Sequence, residues 1–242
     1  LIGKYYLIAM RCLKWLYRRL VSPVVQSLFL RQLLNKTNNF GTTKWLGVPI
    51  VQNVLDLWTI QETLFEVRPS LLVECGTYKG GSSLFFAHLF DLMGEGEVIT
   101  VDTKRLHNLF HPRVTYLIGS STSDEVVAEV RKRVAACSGP VMVILDSDHS
   151  RDYVRRELEC YAPLVTPGSF CLVQDGVIDT LSVFRSSRPG PLPAIRDFVK
   201  SHAEFGVDRD RSDRFLITYH PEGWLRRRKE MSSAESAGAG DA

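Results

Sequence analysis

The chain holds two clusters of polar residues at the ends of apolar runs, where a strand hands over to a loop. In the first, Val141-Met142-Val143-Ile144-Leu145 runs directly into Asp146-Ser147-Asp148-His149-Ser150. His149 can take a proton near neutral pH without tuning, so it is a candidate general base, with Asp146 beside it. A plainer alternative is that Asp148 or Ser150 caps a helix starting near Arg151, with His149 a partner on its first turn. The next apolar run, Phe170 to Val173, ends in Gln174-Asp175. Asp146, Asp175 and the Gln174 carbonyl oxygen form an all-oxygen set suited to Mg²⁺, which could hold a hydroxyl oxygen and lower its pKa. Asp175 followed by Gly176 also fits a simple turn.

The second cluster is Glu74-Cys75-Gly76-Thr77-Tyr78-Lys79-Gly80-Gly81-Ser82. A strand, a turn carrying Gly76, Thr77, Gly80 and Gly81, and a helix start at Ser82 would let a ligand approach the backbone and place a carboxylate or phosphate on free N–H groups. Asp102 lies 21 residues after Gly81 at the end of the next apolar run, where an acid accepts hydrogen bonds from ribose hydroxyls. Together they point to a nucleoside-bearing cofactor. A dinucleotide is disfavoured, because Glu74 stands where the first glycine of its fingerprint would be and would face a pyrophosphate. A cationic donor fits better: S-adenosylmethionine carries an ammonium and a sulfonium that Glu74 and Asp146 could attract, while Ser82 and the helix N–H groups take its carboxylate.

These residues need strands that end together. From Pro69 onward short apolar runs alternate with helical periodicity, which predicts βα units and a mostly parallel sheet. The strands are expected at Leu71 to Glu74, Val98 to Asp102, Val114 to Ile118, Val141 to Asp146 and Phe170 to Gln174. Helices are expected at Asn53 to Val67, Ser82 to Leu92, Ser123 to Ala136 and Arg151 to Leu164. In such sheets ligands bind at the carboxyl ends of the strands, where both clusters fall.

The 242 residues are 45% hydrophobic and 24% charged, which excludes a disordered or collagen-like chain. Five scattered cysteines without a CxxC pair argue against a disulfide scaffold or structural zinc and for a reducing, cytoplasmic setting. Eight of the 30 basic residues and no acidic one lie in residues 1–55, leaving 22 basic against 27 acidic residues in the remainder. That split argues against a nucleic-acid enzyme with a basic body. It marks residues 1–44 as a basic N-terminal arm, ahead of a catalytic body at 45–230 and a loose Ser/Ala/Gly tail at 231–242. In the arm, Lys4, Arg11, Lys14 and Arg18 form one stripe on a helix, opposite Ile2, Tyr6, Ala9, Leu13, Leu16 and Leu20. Its longest uncharged stretch, Leu20 to Leu30, contains Pro23 and is eleven residues long, short of the ~18 that span a bilayer. Two accounts stay open: peripheral contact with an anionic membrane, or packing of the apolar face on the protein's own core or on a second subunit of a homo-oligomer.

Residues from about Trp45 to Arg228 resemble the cephalosporin hydroxylase-like family of S-adenosylmethionine-dependent methyltransferases, which includes rhamnosyl O-methyltransferases. The resemblance runs through Arg68-Pro69, Glu74 to Thr77 with Gly80-Gly81-Ser82, Val101-Asp102, Gly119-Ser120-Ser121, Leu145 to Ser150, Gly190-Pro191 and Gly223 to Arg227. It implies a Rossmann-like class I methyltransferase fold and O-methylation of a small hydroxylated acceptor, a sugar or a secondary metabolite. It also implies that Glu74, Gly76 and Ser82 surround the methionine end of the cofactor, Asp102 binds ribose, and Ser120 and Ser121 border the adenine. A metal would sit at Asp146, Gln174 and Asp175, with His149 in the place of a general base. The family pattern usually has an acid where this chain has Gln174, so one negative charge is missing and attraction for a hard dication should weaken. Two other accounts are a hydroxylase, which would want two histidines and one carboxylate around iron, and a non-catalytic, membrane-associated relative.

Overall fold

The computed structural model describes residues 2–36 and 42–229, so the expected tail and the junction between arm and body lie outside the described residues. The body is a doubly wound sheet. Its strands are β3 (Leu71–Cys75), β4 (Glu97–Asp102), β5 (Val114–Ile118), β6 (Val141–Leu145), β7 (Phe170–Val173), β8 (Phe205–Val207) and β9 (Trp224–Arg227). They lie in the order β5-β4-β3-β6-β7-β9-β8. The first five are parallel, and β9 runs antiparallel to both of its neighbours. A small hairpin, β1 (Lys44–Trp45) with β2 (Val48–Pro49), precedes the sheet.

Burial on both faces explains the central strands. Every residue of β3, β6 and β7 is buried, as expected where helices cover a parallel sheet on both sides. Side chains alternate between the two faces. Leu71, Val73 and Cys75 of β3 and Val141, Val143 and Leu145 of β6 join one core with Val154 and Leu158. Those two come from α6 (Arg151–Tyr161), and α5 (Asp124–Ala135) covers the same face through Val126, Val127 and Val130. Leu72, Met142 and Ile144 point the other way, against Ile60 and Leu64 of α3 (Val54–Val67) and Phe86 and Phe90 of α4 (Gly81–Met93).

The predicted elements through β7 are all present, with ends shifted by a residue or two and α6 closing three residues early into a 3₁₀ turn at Ala162–Leu164. Asn53 and Ser123 precede α3 and α5 and cap them, their side chains accepting from the N–H groups of Leu55 and Val126. Beyond Gln174 the sequence offered no elements, yet α7 (Pro191–Ser201), β8, the short α8 (Arg209–Ser212) and β9 complete the sheet. The two arginines in the four residues of β9 hide its strand character. Arg227 is held by the carbonyls of Pro163 and Val165, and Arg226 lies over the ring of Phe170.

The arm is a continuous helical rod: α1 (Ile2–Leu16), a π-helical turn at Tyr17–Val21, and α2 (Ser22–Lys36). Pro23 in the first turn of α2 lacks an N–H, and the widened turn before it closes instead through Ser22 N–H to the Tyr17 carbonyl. The account in which the apolar face packs on the protein's own core is corrected here. Tyr6, Leu13, Leu16 and Leu20 are 46–64% exposed, and the rod touches the body through α2, where Leu30 packs with Val177, Leu181 and Tyr219.

Glu157 of α6 is fully buried beneath the sheet ends and accepts hydroxyl hydrogen bonds from Ser121 (2.5 Å) and Ser147 (2.6 Å). Burial outweighs these bonds and pushes its carboxyl up from 4.5 to about 7. The fold therefore favours the protonated acid: this contribution is complete below pH 4.5 and is lost as pH rises to 7. Glu157→Gln keeps an acceptor for both serines and cannot ionise. Thermal unfolding should show the variant more stable than wild type at pH 8, by up to about 3 kcal/mol, and matched to it at pH 4.5.

Candidate functional site

A cleft of about 750 Å³ opens over the carboxyl ends of β3, β4, β6 and β7, at the point where the strand order reverses between β3 and β6. Its floor is set by a close approach of backbones. A Cβ on Gly76, which has φ +106°, would lie 1.9 Å from the Asp146 carbonyl oxygen, so only glycine lets the turn after β3 lie against the end of β6. Its roof is the segment after the hairpin. Trp45 packs edge-on against Phe85 of α4 at 4.8 Å and donates to His88 Nδ1. This carries Pro49 over the start of α4, where a Cβ on Gly81 would lie 2.2 Å from the Pro49 carbonyl oxygen.

Of the residues singled out from sequence, Gly76, Thr77, Gly81, Ser82, Asp102, Asp146, His149 and Asp175 line this cleft. Asp102 Oδ2 accepts the Tyr78 N–H at 2.7 Å, tying the glycine turn to the end of β4. Glu74 does not reach the cleft. It shares the face of Leu72, is 1% exposed, and accepts from Ser83 Oγ (2.5 Å) and Thr100 Oγ1 (2.6 Å) beneath the turn, where burial raises its pKa. Gly80 starts α4 at φ +79° under His107 and Leu109. Ser120 and Ser121 are bonded to the Tyr153 hydroxyl at 2.8 and 3.0 Å, and it is Tyr153 that faces the cleft.

At the far end, one ligand atom each from Asp146, His149 and Asp175 lies within 4.8 Å of the others. His149 Nε2 is 3.3 Å from Asp175 Oδ2. The helix-cap alternative for this loop does not form: Ser150 precedes α6 without a side-chain cap bond, Asp148 Oδ1 accepts only the Ser150 N–H ahead of the helix, and His149 stays in the cleft. Asp146 is held well above the usual carboxylate range, first by burial, then by the negative charges of Asp175, Glu74 and Glu157. Asp175 has left-handed backbone (φ +57°), and its N–H donates to His220 Nδ1 at 3.1 Å. Behind it, His220 Nε2 lies 3.7 Å from Asp56. The two-histidine set that a ferrous hydroxylase would want is not assembled among the described residues, since His149 is the one histidine of this cluster.

Gln52 is the participant that sequence did not single out. Buried in the roof, its Nε2 donates to Asp146 Oδ2 (2.8 Å) and to Gln174 Oε1 (2.5 Å). Turned over, the Gln174 amide would instead donate to Asp146 Oδ1 and Oδ2 at 3.1 and 3.0 Å. The first orientation offers a metal an amide oxygen beside two carboxylates, a donor set that fits a hard dication. The second spends Gln174 on hydrogen bonds to the Asp146 carboxylate.

A family profile described as rhamnosyl O-methyltransferase/CmcI matches residues 37–228. This chain belongs to that family. The rhamnosyl O-methyltransferase of Mycobacterium tuberculosis (strain H37Rv) is 32% identical over 191 residues, covering 76% of this chain and 77% of the relative. That of Mycobacterium leprae (strain TN) is 30% identical over 194 residues, covering 78% and 85%. Among solved structures, CmcI with Mg and SAM is similar with a TM-score of 0.62 at 19% identity, covering 78% of each chain. MycE from mycinamycin biosynthesis, with Mg and SAH, has a TM-score of 0.51 at 19% identity, covering 71% of this chain and 49% of that one. These two share the fold of this chain, a class I S-adenosylmethionine methyltransferase fold.

Gln174 sets the charge of the end where Asp146 and Asp175 meet. Replacing the amide by an acid, Gln174→Glu, should tighten Mn²⁺ binding measured by calorimetry by about tenfold or more, the order expected when a charged ligand replaces a neutral one. Unchanged affinity would mean that Gln174 does not face the ion.

Proposed function

We propose that this chain moves the methyl group of S-adenosylmethionine to a hydroxyl of a sugar or sugar-bearing metabolite, with His149 as general base. As a member of its family it is an S-adenosylmethionine-dependent O-methyltransferase acting on a small hydroxylated acceptor. The sugar is suggested by the rhamnosyl O-methyltransferases it resembles. The observation that carries the role of His149 is the pairing of its Nε2 with Asp175 inside the cleft, one loop away from Asp146.

In this proposal the first turn of α4 and Ser82 take the donor's carboxylate, and Asp102 accepts from its ribose. Asp146, half-buried and crowded by other acids, gains most from the donor's positive charges. The acceptor hydroxyl attacks the methyl carbon in line with the carbon–sulfur bond. The carbon–oxygen bond forms as the carbon–sulfur bond breaks, and sulfur keeps the electron pair. Because Nε2 is turned to Asp175, Nδ1 takes the hydroxyl proton, and the Asp175 carboxylate steadies the resulting imidazolium. The pocket thus supplies orientation, charge and a proton acceptor. A divalent cation held by Asp146, Asp175 and the Gln174 oxygen would supply Lewis acidity at the acceptor oxygen.

Calorimetry with S-adenosylmethionine tests the donor site, and absence of heat at millimolar ligand would end the proposal. His149→Ala should lower kcat by about 10²–10⁴-fold, the usual worth of a positioned base, with the KM for the donor nearly unchanged. Full activity in that variant would remove His149 from the mechanism.

A further inference from the structure

We infer that the helical arm is an interfacial anchor for anionic phospholipid, lying along the membrane surface and holding the body beside it. The rod from Ile2 to Lys36 is 35 residues long, roughly 50 Å at helical rise. Tyr6, Leu13 and Tyr17, at steps of seven and four, share one face up to the π-helical turn, Leu20 lies within that turn, and Val24 and Leu28, four apart, share one face of α2 beyond it. All six are 50–64% exposed. A solvated stripe of this length exceeds the scattered apolar residues normal on a soluble surface.

Charge selects the occupant. No acid occurs in residues 1–55, where eight basic residues do, and Arg11 and Arg19 are exposed on the rod itself. A second copy pairing arm to arm would set this charge against itself, with no acid available for the flanking ion pairs that helix pairs use. An anionic bilayer satisfies both halves: the apolar residues enter the acyl boundary, and the basic residues on the other side of the helix are drawn to the negatively charged surface. Aromatic Tyr6 and Tyr17 on the stripe, with Trp15 stacked under Arg19, suit the headgroup region. The rod does not cross the bilayer, since no helix among the described residues is long and apolar enough.

The other side of the rod is fixed to the body. Leu30 is buried against Val177 and Leu181, just after Asp175, and Arg31 donates to Ser182 Oγ at 3.2 Å. An anchored arm therefore holds the segment that follows Asp175 at the lipid surface.

Co-sedimentation of the full chain with vesicles tests this directly. Phosphatidylglycerol mixed into phosphatidylcholine should pellet the protein, and phosphatidylcholine alone should not. Leu13→Glu with Leu20→Glu should abolish pelleting. Arg11→Gln with Arg19→Gln should weaken it roughly 30-fold, about 1 kcal/mol per charge. Both pairs change exposed residues, so their thermal unfolding should match wild type. Equal pelleting on neutral vesicles overturns the inference. So does absence of pelleting together with a dimer in sedimentation velocity that Leu13→Glu with Leu20→Glu breaks, which would assign the stripe to a second copy.

Discussion

The cleft is organised around negative charge that is partly shielded from water. Asp146 and Asp175 follow neighbouring strands, Glu74 lies one layer beneath, and burial together with the charges of Asp175 and Glu74 raises the cost of ionising Asp146. Fully exposed carboxylates would be screened and cheap, but Asp146 is half-buried at the end of a strand covered on both faces, where part of its hydration is lost. A site of this kind gains most from a ligand that brings positive charge. The glycine turn and the roof segment follow from that demand, because both bring backbone close enough to enclose the ligand without adding side-chain bulk.

Gln52 and Gln174 moderate that demand. The Gln52 amide, donating to Asp146, stabilises its charge less than a cation would and more than apolar packing would. Because Gln52 belongs to the roof, its bonds to Asp146 and Gln174 also couple roof position to the state of the acids. An acid in place of Gln174 would add a third negative group at hydrogen-bond distance and make a bound cation close to obligatory. The amide leaves one negative charge fewer at this end of the cleft.

How much was legible follows from where the signals live. β3, β6 and β7 were readable because burial on both faces writes an unbroken apolar run, and the polar residues after β6 and β7 then had to lie at the crevice. β9 was not, because its short run carries two arginines whose partners come from distant segments. Glu74 shows a subtler failure: its type suggested a ligand, but strand parity puts it with Leu72 on the face covered by α4, where Ser83 and Thr100 absorb it. Ser120 and Ser121 sit at the expected strand end, yet they spend their hydroxyls on Tyr153 and Glu157. Gln52 lay far from either cluster in sequence, and only the packing of Trp45 on α4 brings it over the site.

Charge also gives the proposed reaction a direction. Before transfer, a positive sulfur would face the Asp146 end of the cleft; afterwards the sulfur is neutral and the proton's charge rests on His149. The two carboxylates that bracket the loop would exchange roles, Asp146 losing its partner as Asp175 gains one across 3.3 Å. A neutral product held against an acid that is already costly to ionise is bound less well than the donor was. The same crowding of carboxylates that recruits the donor would therefore help to release what remains of it.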